Sequence, residues 1–152
     1  MTELRNRSGR VLVLDDIQAS ASEIPEPIQA LIDEADDLYI VAPTLTTRLQ
    51  SLATDVDGAR VLADERLRAV FDLVCAGGLE PHGRVGDENH LVAIADALAA
   101  FDADRIVLTL HPSGNENWRE HRLAERVRSH FDLPTTVFVV GSQGQVLKQE
   151  EA

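Results

Sequence analysis

The 152-residue chain holds one cysteine, one lysine, one tryptophan and one tyrosine, and each shortage excludes something. Cys75 alone rules out an intramolecular disulfide. It lies in an apolar helical run, Phe71–Asp72–Leu73–Val74–Cys75, and is expected to be a buried small residue rather than a reactive thiol. Lys148 is the only lysine among the 14 Lys and Arg residues, a bias we read as genome composition. These face 26 acidic residues, giving a net charge of −12 and a pI near 4.7. No basic stripe spans the chain, so nucleic acid is excluded as a main partner. No run approaches the ~18 apolar residues of a membrane helix, and no apolar stretch follows the charged Met1–Arg10. Neither a membrane span nor a signal peptide is expected, and a cytoplasmic location follows by default. The chain also lacks G-x-S-x-G, G-x-x-x-x-G-K-[ST] and G-x-G-x-x-G. Its five histidines, His82, His90, His111, His121 and His130, show no metal-ligand spacing. Nothing pairs a nucleophile with a base, so a non-enzyme without a required cofactor or metal is expected.

What is present is an alternation of short apolar runs with amphipathic stretches. Val11–Leu14 and Leu38–Val41 read as buried strands, and a short helix from about Pro25 lies between them. The longest helix follows, with Ala63, Leu67, Val70, Phe71 and Val74 on one face, stopped by Gly77–Gly78. Leu79–Val85 is a weaker strand, interrupted by Pro81 and Gly83 and suited to a sheet edge. A third helix, capped by Asp87 or Asn89, presents Leu91, Ile94, Ala95, Leu98 and Phe101. Arg105–Leu110 is strand four. Asn117-x-x-Glu120 resembles a capping box, and Leu123, Val127 and Phe131 line the helix below it. Thr136–Val140 is strand five. These elements predict one α/β domain: an open five-stranded parallel sheet with helices on both faces. Residues 9–141 form that domain, after an N-terminal extension 1–8 and before a polar, loosely held tail 142–152.

In an open α/β sheet, ligands sit where strands end and helices begin. Asp15–Asp16 closes strand one, where a carboxylate can accept from an adenine amino group or a ribose hydroxyl, hold a metal with a second acidic pair, or simply solvate a loop. Thr109 and His111 close strand four. Arg119, His121 and Arg122 follow in the next helix's first turns. Within Arg105–His130, five arginines stand against three glutamates, a local +2 in a chain of −12. A helix N-terminus flanked by arginine attracts anions, so a small anionic ligand is one reading. A solvated helix face paired as Glu116–Arg119 and Arg122–Glu125 is the other. Trp118 reads first as a packing anchor at the sheet's end. Gly86–Asp87 suits a tight turn and a helix cap. An acidic pair after strand one and Thr109 after strand four also suit a response-regulator receiver domain. That reading needs a phosphoacceptor Asp at the end of strand three, which Asp87 could supply only after an unusually long crossover, and a Lys at the end of strand five, whereas Lys148 lies well past Val140.

Val11–Asp16, Ile40–Val41, Val85–Gly86–Asp87, Ala103–Leu108, Leu123–Val127 and Pro134–Val140 together resemble the universal stress protein family over residues 9–140. The His111–Pro112, Asn117–Trp118 and Arg-rich helix are similar to an actinobacterial branch of it. The resemblance implies a Rossmann-like, adenine nucleotide alpha hydrolase-like fold with five parallel strands in the order 3-2-1-4-5. It also implies a homodimer through strand five, Thr136–Val140, a short β-rich run at an edge that needs covering. In the family's ATP-binding branch, positions matching Asp16 and Val41 contact the adenosine, and a Gly-x2-Gly-x9-Gly-Ser/Thr motif wraps the phosphates. Here the first glycine falls on Thr109 and the second on Pro112. The final pair falls on His121–Arg122, with one residue fewer between. Pro112 has no N–H, and bulky side chains keep phosphate from bare backbone. The implied protein is a cytosolic, dimeric, stress-response binding module without the usual phosphate loop. One alternative is a sensor of ATP or another adenine nucleotide, gripping phosphate through Arg119, His121 and Arg122. Another is a nucleotidyl transferase or hydrolase of the same superfamily, but Asp15–Asp16–Ile17–Gln18 lacks the phosphate-loop pattern that needs.

Overall fold

The computed structural model describes residues 9–16, 24–44, 56–110, 117–141 and 145–151, with backbone alone for Asp16 and residues 56, 57, 59 and 117–121. The elements are β1 (Gly9–Asp16), α1 (Glu26–Asp33), β2 (Ala35–Pro43), α2 (Val56–Ala76), β3 (His82–Gly86), α3 (His90–Ala100), β4 (Arg105–Leu110), α4 (Asn117–Phe131), β5 (Thr135–Val140) and β6 (Val146–Glu151). They make an α/β fold around one mixed sheet in the order β3-β2-β1-β4-β5-β6. The first five strands run parallel and β6 runs antiparallel to β5.

Two expectations therefore need correction. The sheet has six strands, not five parallel ones, because the stretch read as a loose tail supplies β6. And β5 is not an edge. Thr136 to Val140 are paired on their outer side with Glu151 to Val146. A dimer through Thr136–Val140 needs an open β5 edge, and β6 of the same chain closes it. Polar cross-strand contacts fasten β6 in place. The Arg105 guanidinium donates to Thr136 Oγ1 at 2.6 Å, and that hydroxyl donates to Glu151 Oε2 at 2.8 Å. Arg105 also meets Glu151 Oε1 at 3.4 Å, so one cluster spans β4, β5 and β6.

The core lies on both faces of the sheet. Alternate residues of each strand point to opposite sides. Val11, Val13, Leu38, Ile40, Ala42, Val107, Phe138 and Val140 pack with α1 and α2. Leu12, Leu14, Val41, Ile106, Leu108, Val137 and Val139 pack with α3 and α4. On α2, Ala63, Leu67 and Val74 are buried as their spacing predicts, and Gly78 ends the helix at φ +98°. Cys75 is exposed, contrary to expectation, because it falls on the outward side of that helix, one residue past Val74. On α3 the inner face is Ala93, Ile94 and Ala97, and Ala95 faces solvent. Asn89 caps this helix by accepting from the N–H groups of Leu91 and Val92.

Two glycines are required by close approach. Gly9 has φ +71°, and a Cβ there would strike the Asp104 carboxylate. That carboxylate accepts from the Arg10 N–H at 2.9 Å, while the Asp104 N–H donates to Arg10 O. A Cβ on Gly86 would lie 2.8 Å from Val41 Cγ1 and 2.9 Å from Ala93 Cβ. Gly86 thus lets α3 settle against β2 and β3, whereas a tight-turn role was expected. Tyr39, midway along β2, stacks on Phe101, and the Arg10 guanidinium sits 4.5 Å from the Phe101 ring centre.

Candidate functional site

The strand order fixes where a ligand crevice can form. From β1 the chain moves outward to β2 and β3 on one side, then returns to β4 and continues outward to β5 on the other, with α1 and α2 on one face of the sheet and α3 and α4 on the opposite face. The reversal falls between β1 and β4, so the carboxyl ends of these two strands border the topological switch point. Their register sets Asp15 opposite Thr109 and Asp16 opposite Leu110.

Asp15 and Thr109 are the polar pair at this point. Both are buried, at 6% and 3% exposure, in a region otherwise built of Val, Leu and Ile. A polar group this dry needs a partner. The Thr109 hydroxyl lies 3.1 Å from Asp15 Oδ1 and 3.2 Å from Leu14 O, so its one proton is shared between two acceptors. The Thr109 side chain thus holds the Asp15 carboxyl group across the β1/β4 seam.

The carboxyl end of β2 adds further polar groups. The Thr44 N–H and Oγ1 both donate to Gly86 O, at 3.0 and 2.9 Å, tying the ends of β2 and β3 together. Arg66 reaches from α2 to donate its Nη2 to Pro43 O at 2.6 Å. This brings a guanidinium to the carboxyl end of the sheet, on the same face as Asp15. Sequence reading missed Arg66. Its only signal is its place beside the buried stripe, three residues after Ala63 and one before Leu67. An arginine there must direct its head group toward a strand end or solvent.

The other candidate residues are placed as follows. Val41 is fully buried, and its side chain packs against α3 in the core beside Gly86. Asp16 has its backbone at the β1 end, opposite Leu110. His111 lies outside the described residues, as do Pro112 and Gly114. Arg119 and His121 are carried on the first turns of α4, described there by backbone alone, and so is Trp118. Arg122 is exposed on the same helix. Asp15 and Thr109 are thus brought into contact, and the α4 residues follow β4 across residues 111–116. Among the described residues, no cluster of three or more His, Cys, Asp or Glu could hold a metal ion, and no helix is long and apolar enough to cross a membrane. No protein-family model matches the chain, and no curated protein matches it significantly.

Proposed function

We propose that this protein is a universal-stress-protein-like binding module of the cytosol, acting by taking up a small ligand rather than by catalysis. The observation that carries the proposal is the Asp15–Thr109 pair at the β1/β4 switch point. A buried carboxylate held by a threonine hydroxyl is a fixed acceptor, suited to a ligand's amino or hydroxyl group. The side chains at the matching phosphate-motif positions, Thr109 and Pro112, leave no bare backbone cradle of the usual kind. The ligand therefore differs from one gripped through a triphosphate.

A thermal-shift series with ATP, ADP, AMP, cyclic nucleotides and nucleosides tests this, together with native mass spectrometry of protein purified without added ligand. Stabilisation by a nucleoside that is lost in Asp15→Asn, with ATP no better than the nucleoside, supports the proposal. Equal stabilisation of the wild type and Asp15→Asn sinks it.

A second reading, a nucleotide sensor with a side-chain phosphate site, draws on Arg122, exposed on the helix that follows β4. It predicts that ATP stabilises the protein well beyond adenosine, and that Arg122→Ala removes the difference. The homodimer belongs to the proposal in altered form. On the β5 side, β6 is the terminal strand among the described residues and the edge a second copy would meet, with Leu147 54% exposed on it. A monomer by light scattering at tens of micromolar would remove the dimer from the proposal.

A further inference from the structure

The opposite edge of the sheet is built differently. Among the described residues β3 is the terminal strand there, pairing on its inner side with β2. An open groove of about 690 Å³ runs beside it, lined by Tyr39, Arg60, Val61, Asp64, Arg84 and Val85. We propose that this groove receives an extended segment of another protein, with acidic and apolar side chains in alternation, added to the sheet beside β3.

Three observations converge on that occupant. The first is the edge itself. A terminal strand offers backbone N–H and C=O groups on its outer side, and strand addition uses them for affinity. The second is an exposed valine on the helix wall. The N-terminal half of α2 contributes Arg60, Val61 and Asp64 to the groove. Val61 and its neighbour Leu62 are 57% and 51% exposed, a high value for side chains of this type. The third is charge. Arg60 and Arg84 are both exposed, and the acidic member, Asp64, is held by Arg68 at 2.8 Å. A chain of net charge −12 thus presents two guanidiniums along one edge. Such a groove attracts a negative segment and repels a positive one.

The strand period sets the pattern of the segment. Arg84 and Val85 are successive residues, so their side chains leave opposite faces of the sheet. A strand laid beside them presents one set of side chains toward Arg84 and the other toward Val85 and Val61. Acidic residues suit the first set and β-branched apolar residues the second.

The test uses the full chain and a fluorescein-labelled peptide, acetyl-Glu-Val-Glu-Val-Glu-Val-Glu-amide, followed by anisotropy. Saturable binding below about 1 mM is expected, with amide shifts by NMR confined to residues 60–64 and 82–86. Arg60→Glu/Arg84→Glu, two exposed substitutions, weakens binding at least about tenfold while the circular dichroism spectrum is unchanged. Alternate N-methylation of the peptide, which removes its strand-pairing N–H groups, abolishes binding. Equal binding of the Lys-for-Glu peptide overturns the proposal, as does no binding at about 1 mM. It is also overturned if the free protein self-associates by light scattering and Arg84→Glu disperses it, since the groove would then be filled by a second copy.

Discussion

Replacing Thr109 by valine removes one hydroxyl from the β1/β4 switch point and little else. The shape is nearly kept, so the change isolates the hydroxyl's hydrogen bonding, which is shared between Asp15 Oδ1 and Leu14 O. Thr109 and Asp15 are 3% and 6% exposed, so water cannot readily replace the lost donor. A hydrogen bond to a charged partner contributes about 1.5–3 kcal/mol, and losing its donor also leaves the acceptor poorly solvated. The expected loss for Thr109→Val is therefore about 2 kcal/mol. With a urea m-value of about 2 kcal/mol/M, the unfolding midpoint falls by about 1 M at constant m. Thr109→Ser is the control, because it keeps the hydroxyl and drops a methyl. It should cost about 1 kcal/mol, the transfer of a single buried carbon. The reasoning fails if Val costs under about 0.5 kcal/mol, or if Ser costs as much as Val. The same pair of variants bears on binding. Valine should also weaken any ligand that uses the Asp15 carboxylate, whereas serine should not.

Gly86→Ala should destabilise by about 1–3 kcal/mol, since its methyl overlaps the buried Val41 and Ala93. In a double-mutant cycle, Gly86→Ala should cost less in a Val41→Ala background, and strict additivity would refute the packing argument. Gly9→Ala, which meets both a positive φ and the Asp104 carboxylate, should cost about 1–2 kcal/mol by chemical denaturation. Glu151→Ala should cost no more than about 1 kcal/mol, because Glu151 is exposed and its ion pair is well solvated. Hydrogen exchange should nonetheless quicken at 146–151 and leave β1 unchanged, and protection unaltered at β6 would show that the backbone ladder alone holds it.

Legibility followed burial. Val11–Leu14, Arg105–Leu110 and Thr136–Val140 could be read as strands because both faces of the sheet are covered, which demands nearly continuous apolar runs. β6 could not. Val146–Glu151 carries Lys, Gln and two Glu, and it joins the sheet through backbone pairing and the Arg105–Thr136–Glu151 cluster. No hydrophobic period announces such a strand. Cys75 and Ala95 were misplaced by one helical step, since small residues leave the edge of an apolar stripe poorly marked. Asp15 and Thr109 could each be singled out by their place at a strand end. Their contact could not, because it depends on the β1/β4 register. Arg66 left still less trace, because its role arises from which strand end its helix happens to cross.

The position of that contact carries a kinetic consequence. Asp15 and Thr109 are 94 residues apart in sequence, joined across a seam that closes only when the two halves of the sheet meet. The length-dependent part of the loop-closure entropy for such a span is about 4 kcal/mol. Pairings of this kind raise contact order and slow folding. β1 can pair with β2 at a separation of 26 to 27 residues, but it must wait for β4. The proposed ligand site is thus assembled by the slow, long-range event, and local β–α–β pieces formed earlier contain only one side of it. A partly folded chain would be unable to present the Asp15 carboxylate in its bonded orientation, so binding competence and completion of the seam should appear with a single rate in refolding.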